Sequence, residues 1–80
     1  MPFFLLHHRH DGPTCEATFA AWHGFQSPLR HRPADCTCVA GGHDLWWRVE
    51  AVDRDAALAL LPPFLAHRTR AIPVRRVDIP

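Results

Sequence analysis

Four strand patterns and two helix patterns follow one another in the order strand, helix, strand, strand, helix, strand, and nothing else in the chain constrains its fold as much. Phe3 to Arg9 begins with four apolar residues in a row, the pattern of a strand buried on both faces. Asp11-Gly12-Pro13 reads as a turn, with Pro13 at the start of a helix, where its missing N–H is not needed. That helix runs from about Thr14 to His23, puts Cys15, Phe19 and Trp22 on one stripe, and stops at Gly24. A loop of turn formers and basic residues, Phe25 to Ala34, follows it.

Asp35 to Ala40 and His43 to Val52 form a hairpin pattern around Gly41-Gly42, since a glycine pair supplies the positive φ angles of a two-residue turn. A turn there pairs Cys38 with Leu45 and Cys36 with Trp47. Cys36, Cys38, Leu45, Trp47, Val49 and Ala51 then share the core face, and Thr37, Val39, Trp46, Arg48 and Glu50 share the other. Asp53 is placed to cap a second helix through Ala56 to Leu61, and Pro62-Pro63 to end it. Phe64 to Arg68 reads as a further turn. Ile72 to Ile79 is the last strand, at a sheet edge because Pro73 cannot donate to a ladder.

Each strand-helix-strand unit crosses over right-handed, which leaves room for a third strand between the two it joins. Two such units give an α+β, ferredoxin-like βαββαβ fold over residues 1–80, one domain with an antiparallel sheet ordered 4-1-3-2 and both helices on one face. The other face is left bare. A domain of eighty residues buries only about 60% of its unfolded surface, so a second copy is expected to cover that face and make a homodimer.

The run His43-Asp44-Leu45-Trp46-Trp47-Arg48-Val49-Glu50-Ala51 and the ending Ile72-Pro73-Val74 to Ile79-Pro80 resemble small bacterial proteins of the dimeric α+β barrel superfamily. The resemblance spans nearly the whole chain in topology and size. It implies a dimeric barrel, in a superfamily that includes small isomerases, cofactor-free monooxygenases and haem-linked enzymes. It carries no catalytic motif and so assigns no residue a role.

All nine basic residues are Arg, but the net charge is only +1 and no long basic run exists, which argues against a nucleic-acid partner. Phe3 to Leu6 is too short for the apolar core of a signal peptide and is followed at once by His7-His8-Arg9-His10. A cytoplasmic chain without a membrane partner is expected. Three cysteines in no secreted framework are expected to be free thiols, Cys15, Cys36 and Cys38 serving as small apolar core residues.

Two groups of residues carry chemistry. In the 4-1-3-2 sheet, His7, His8, His10, His43 and Asp44 converge at one end; His8 and His10 share a face, His43 joins them if the even-numbered side of the first strand is the helix side, and together they can bind nickel, zinc or copper. The alternative is a set of solvated strand-end histidines. On the bare face, Trp46, Arg48 and Glu50 offer an aromatic wall, a guanidinium and a carboxylate to a small anionic ligand, or else meet the partner copy at a dimer rim. Three functions stay open: a small-ligand-binding homodimer, a metal-binding dimer, and a cofactor-independent isomerase or monooxygenase using Glu50 or a histidine as base.

Overall fold

The computed structural model describes residues 1–80. Four strands, β1 (Phe3–Arg9), β2 (Asp35–Cys36), β3 (Asp44–Glu50) and β4 (Thr69–Val74), form one antiparallel sheet in the order β2-β3-β1-β4. Read from the other edge this is the expected 4-1-3-2, compatible with a ferredoxin-like arrangement. Three short helices accompany it: α1 (Cys15–Ala20), α2 (Arg54–Leu58) and α3 (Pro63–Ala66). None is long and apolar enough to cross a membrane.

Strand alternation decides where the core lies. Phe4, Leu6 and His8 of β1 point the same way as Leu45, Trp47 and Val49 of β3, and all six are buried. Ala57 of α2, Leu61 from the turn between α2 and α3, and Leu65 of α3 close over them, with Leu29 from the long loop joining the same cluster. The opposite face of β1 is less apolar in its surroundings than the unbroken run Phe3-Phe4-Leu5-Leu6 suggests. Within one chain, Phe3 is exposed and Leu5 and His7 are half-buried.

Several elements differ from expectation. The first helix is cut to Cys15–Ala20, because the chain tightens into three-residue turns in which the N–H groups of Trp22, His23 and Phe25 donate to the carbonyls of Phe19, Ala20 and Trp22. Its buried residue is Thr18, whose hydroxyl donates to Thr14 O at 2.9 Å, while Phe19 is 50% exposed. Pro62 and Pro63 do more than end a helix. Pro63 takes the first position of α3, where a proline fits without losing a hydrogen bond. The last strand lies earlier, at Thr69–Val74, and Val77 and Ile79 are exposed. Pro73 does stand on an edge strand, and the Asp53 carboxylate does cap α2 by accepting from Ala56 N at 2.8 Å.

The hairpin is wider than a two-residue turn. Cys36 pairs with Leu45 and Asp35 with Trp46, a two-residue shift that keeps the residues still paired on their expected faces. The cause is Thr37, whose carbonyl accepts from Ala40 and Gly42 N–H and whose hydroxyl accepts from Asp44 N at 3.1 Å. Gly41 ends the turn at φ 78°, and a Cβ on Gly42 would collide with the Thr37 side chain. Cys38 therefore leaves the sheet, and Cys36 sits on a two-residue edge strand at the border of an open cavity. Both thiols are exposed, which corrects their assignment to the core.

Candidate metal centre

Alternation along β1 divides the five polar residues expected to converge. His7 and Arg9 point to the open face, where both approach Asp44 Oδ1, at 3.8 Å from His7 Nε2 and 3.5 Å from Arg9 Nε. His8 points to the core face and is fully buried, and His10, just past the end of β1, is 6% exposed. The turn that brings His43 back beside β1 is fixed by a backbone bond from His10 N to His43 O at 3.2 Å. The His10 and His43 rings are 5.3 Å apart, centre to centre.

The hydrogen-bond chain behind His10 settles which ring nitrogen carries a proton. Thr69 Oγ1 donates to Leu65 O at 2.7 Å, so that hydroxyl can only accept from His8. His8 Nδ1 lies 3.1 Å from Thr69 Oγ1 and 3.2 Å from Leu65 O, two acceptors, and must carry the hydrogen. Burial holds the His8 imidazole below its usual pKa, with His10 and Arg68 adding to the shift, so the ring is neutral and Nε2 keeps its lone pair. His10 Nδ1, 3.1 Å away, then donates to His8 Nε2. Burial first and His43 second also lower the His10 pKa. The remaining nitrogen of His10, Nε2, is therefore an unprotonated lone pair, buried and without a hydrogen-bond partner.

Two other residues with donor atoms cluster with His10. One ligand atom from each of His10, Cys15 and His43 lies within 4.8 Å of the others, with Cys15 and His43 half-buried. Cys15 reaches this position because Pro13 turns the chain directly after β1, so α1 begins at the same end of the sheet as His10. Helical spacing places Cys15 on the packing stripe of the first helix; its closeness to Pro13 is the signal that it stands at the end of β1 instead. His8, expected among the ligands, stands behind His10 with both ring nitrogens engaged, and it orients the neighbouring imidazole as an outer-shell partner does.

The open-face residues are more dispersed. Trp46 stacks on His7 with ring centres 4.8 Å apart and planes 4° from parallel. The Arg48 guanidinium lies 4.3 Å over the Phe3 ring, and Glu50 is exposed. The only ion pairs are the two at Asp44, so Arg48 and Glu50 do not pair with each other. On the exposed turn, hydrogen bonding with Cys36 pushes the Cys38 thiol up, away from a reactive thiolate.

No family model matches the chain, and no match is found among the curated proteins or the solved structures.

Proposed function

We propose that this protein binds a transition metal, zinc in the first instance, through His10 Nε2, Cys15 Sγ and His43. The observation that carries the reading is the buried, unpartnered Nε2 of His10, a residue that clusters with a thiol and a second imidazole. A buried polar atom left unsatisfied costs about 1–3 kcal/mol, and a metal ion would remove that cost. Tetrahedral zinc needs donors about 3.3–3.8 Å apart, given bonds of about 2.0–2.3 Å, so a small closure of half-buried Cys15 and His43 suffices. One imidazole, one thiolate and a second imidazole leave a fourth position for water or a ligand. Copper and nickel suit the same donors, and a thiolate with two imidazoles favours either over magnesium or calcium.

Cobalt is the direct test, in protein whose exposed thiols are removed by Cys36→Ser and Cys38→Ser. One cobalt per chain should bind at about pH 7.5, where the imidazoles are neutral, and give the ligand-field bands of a tetrahedral site with thiolate-to-metal charge transfer. Zinc should displace it. Cys15→Ser should remove the charge transfer and His10→Ala should weaken binding more than about 100-fold, beyond the loss expected for an outer-shell residue. Equal cobalt affinity in His10→Ala would dismiss the site.

A second reading concerns the open face and is favoured by the row Phe3, Leu5, Trp46 and Ile72 along it. Two copies meeting there would form a homodimer of the dimeric barrel type, with Trp46, Arg48 and Glu50 at the seam, where a small anionic ligand would also lodge. Light scattering should return twice the chain mass, and Trp46→Asp should return the single mass, since a buried carboxylate without a partner is costly. A monomer at micromolar concentration would end this reading and leave the metal site standing.

A further inference from the structure

A cavity of about 400 Å³ opens on the helix side of the sheet, away from the histidines of the metal centre. Its walls are aromatic and apolar: Phe19 and Trp22 from the first helical segment stand over Leu45 and Trp47 of β3. Trp22 lies 6.0 Å from Trp47 and meets Phe25 edge-on at 6.1 Å, so the ring that closes the cavity is held on two sides. Phe19, which a folded core would hide, is half exposed here.

The rim is cationic. Arg30, His31 and Arg32 border the cavity and no carboxylate does. Neither arginine is in an ion pair. The turn carrying them is anchored from below: Leu29 is buried in the core, Leu29 N donates to Ser27 Oγ at 3.1 Å, and Ser27 Oγ donates to Leu60 O at 2.7 Å. Arg32 N closes the turn on Leu29 O at 3.3 Å. His31 occupies the left-handed region at φ 65°, the one residue other than glycine to do so. A side-chain-bearing residue in that region is strained, and such strain persists where the surrounding contacts fix the turn.

We infer that this cavity binds a small aromatic monocarboxylate, its ring against the wall formed by Phe19, Trp22 and Trp47 and its carboxylate on Arg30 and Arg32. The volume lies within the range of about 300–1,000 Å³ typical of small-molecule pockets, and mostly apolar walls with a few convergent polar groups are what such pockets present. Apolar walls would exclude a highly charged phosphate ester from the interior, whereas a planar ring fills them. A planar guanidinium matches a carboxylate with two parallel hydrogen bonds. This site shares no residue with the metal centre and stands or falls without it.

The test compares naphthoate, naphthamide and inorganic phosphate by calorimetry on the unaltered chain. Naphthoate should bind saturably, one per chain, with a dissociation constant of about 1 mM or tighter, as its size allows. The amide keeps the ring and loses the charge, and should bind at least about tenfold more weakly. Arg30→Gln with Arg32→Gln should cost at least about the same factor for naphthoate while leaving the melting temperature unchanged, since neither residue is in the core. Phe19→Ala should weaken both aromatic ligands severalfold. Equal affinity for acid and amide would overturn the proposal, and so would phosphate binding as tightly as naphthoate, the behaviour of an unstructured basic patch. Absence of saturable naphthoate binding would overturn it outright.

Discussion

Truncating Leu6 to Ala is expected to remove about 2–5 kcal/mol of folding stability, the range for emptying a fully buried leucine site. Leu6 is 0% exposed and lies on the central strand, opposite Trp47 on one side and Ala71 on the other. Neighbouring side chains can close the space only by moving strands that are already paired. A chain of eighty residues has about 4–12 kcal/mol of stability in total, at about 0.05–0.15 kcal/mol per residue. The substitution should therefore move the urea midpoint sharply and leave a sizeable unfolded fraction in buffer. Val39→Ala, at a residue 94% exposed, should move it by less than about 0.5 kcal/mol. Similar losses at the two sites would mean that the even-numbered side of β1 is not the core side.

Acid should destabilise the metal-free protein from about pH 6.5 downward, well before carboxylates begin to titrate. His8 and His10 both have pKa values lowered by burial, so protons bind the unfolded chain more readily than the folded one. For such groups the folded state has its full stability above the unfolded pKa and loses it as pH falls toward the lowered folded values. Each histidine can contribute a slope of up to about 1.4 kcal/mol per pH unit across that interval. Urea midpoints measured with a chelator between about pH 7.5 and 5 should fall steadily. A flat profile would mean that the two imidazoles are accessible to water in the folded state, and the tautomer argument for His10 Nε2 would lose its footing.

Long-range order was the readable part of this sequence, and local geometry was not. The strand order follows from handedness and from which segments alternate, and the faces of β3 follow from Leu45, Trp47 and Val49, because a period of two leaves only two choices. Asp53 announces itself because a capping carboxylate acts within three residues. The width of the Thr37–Gly42 turn is different in kind, since a threonine hydroxyl reaching across to Asp44 N outcompetes the glycine pair that pattern alone would choose. Phe19 of α1 lies on the same side of the sheet as Trp22, as its spacing suggests, yet stays half exposed because it borders an open cavity and not packed side chains, which spacing does not report. Convergence of His10 with His43 was legible from the topology. That Cys15 joins them, with His8 behind, required knowing how the chain turns at Pro13 and which ring nitrogen is already occupied.

The position of β1 bears on how the molecule comes to fold. It is made before every strand it touches, yet it lies between β3 and β4, with Phe3 opposite Glu50 and Val74 and His8 opposite Leu45 and Thr69. None of its ladder hydrogen bonds is local, so the loops that close it must lose most of their freedom before any pairing compensates. On the ribosome the apolar start of β1 therefore waits for its first partner until Glu50 has emerged and for its second until Val74 has. Folding should follow release of this segment as a single slow step, with millisecond-to-second kinetics more like those of a β-rich domain than of a helical one. During that wait, Phe3 to Leu6 is the stretch that a chaperone recognising extended apolar chain would find first.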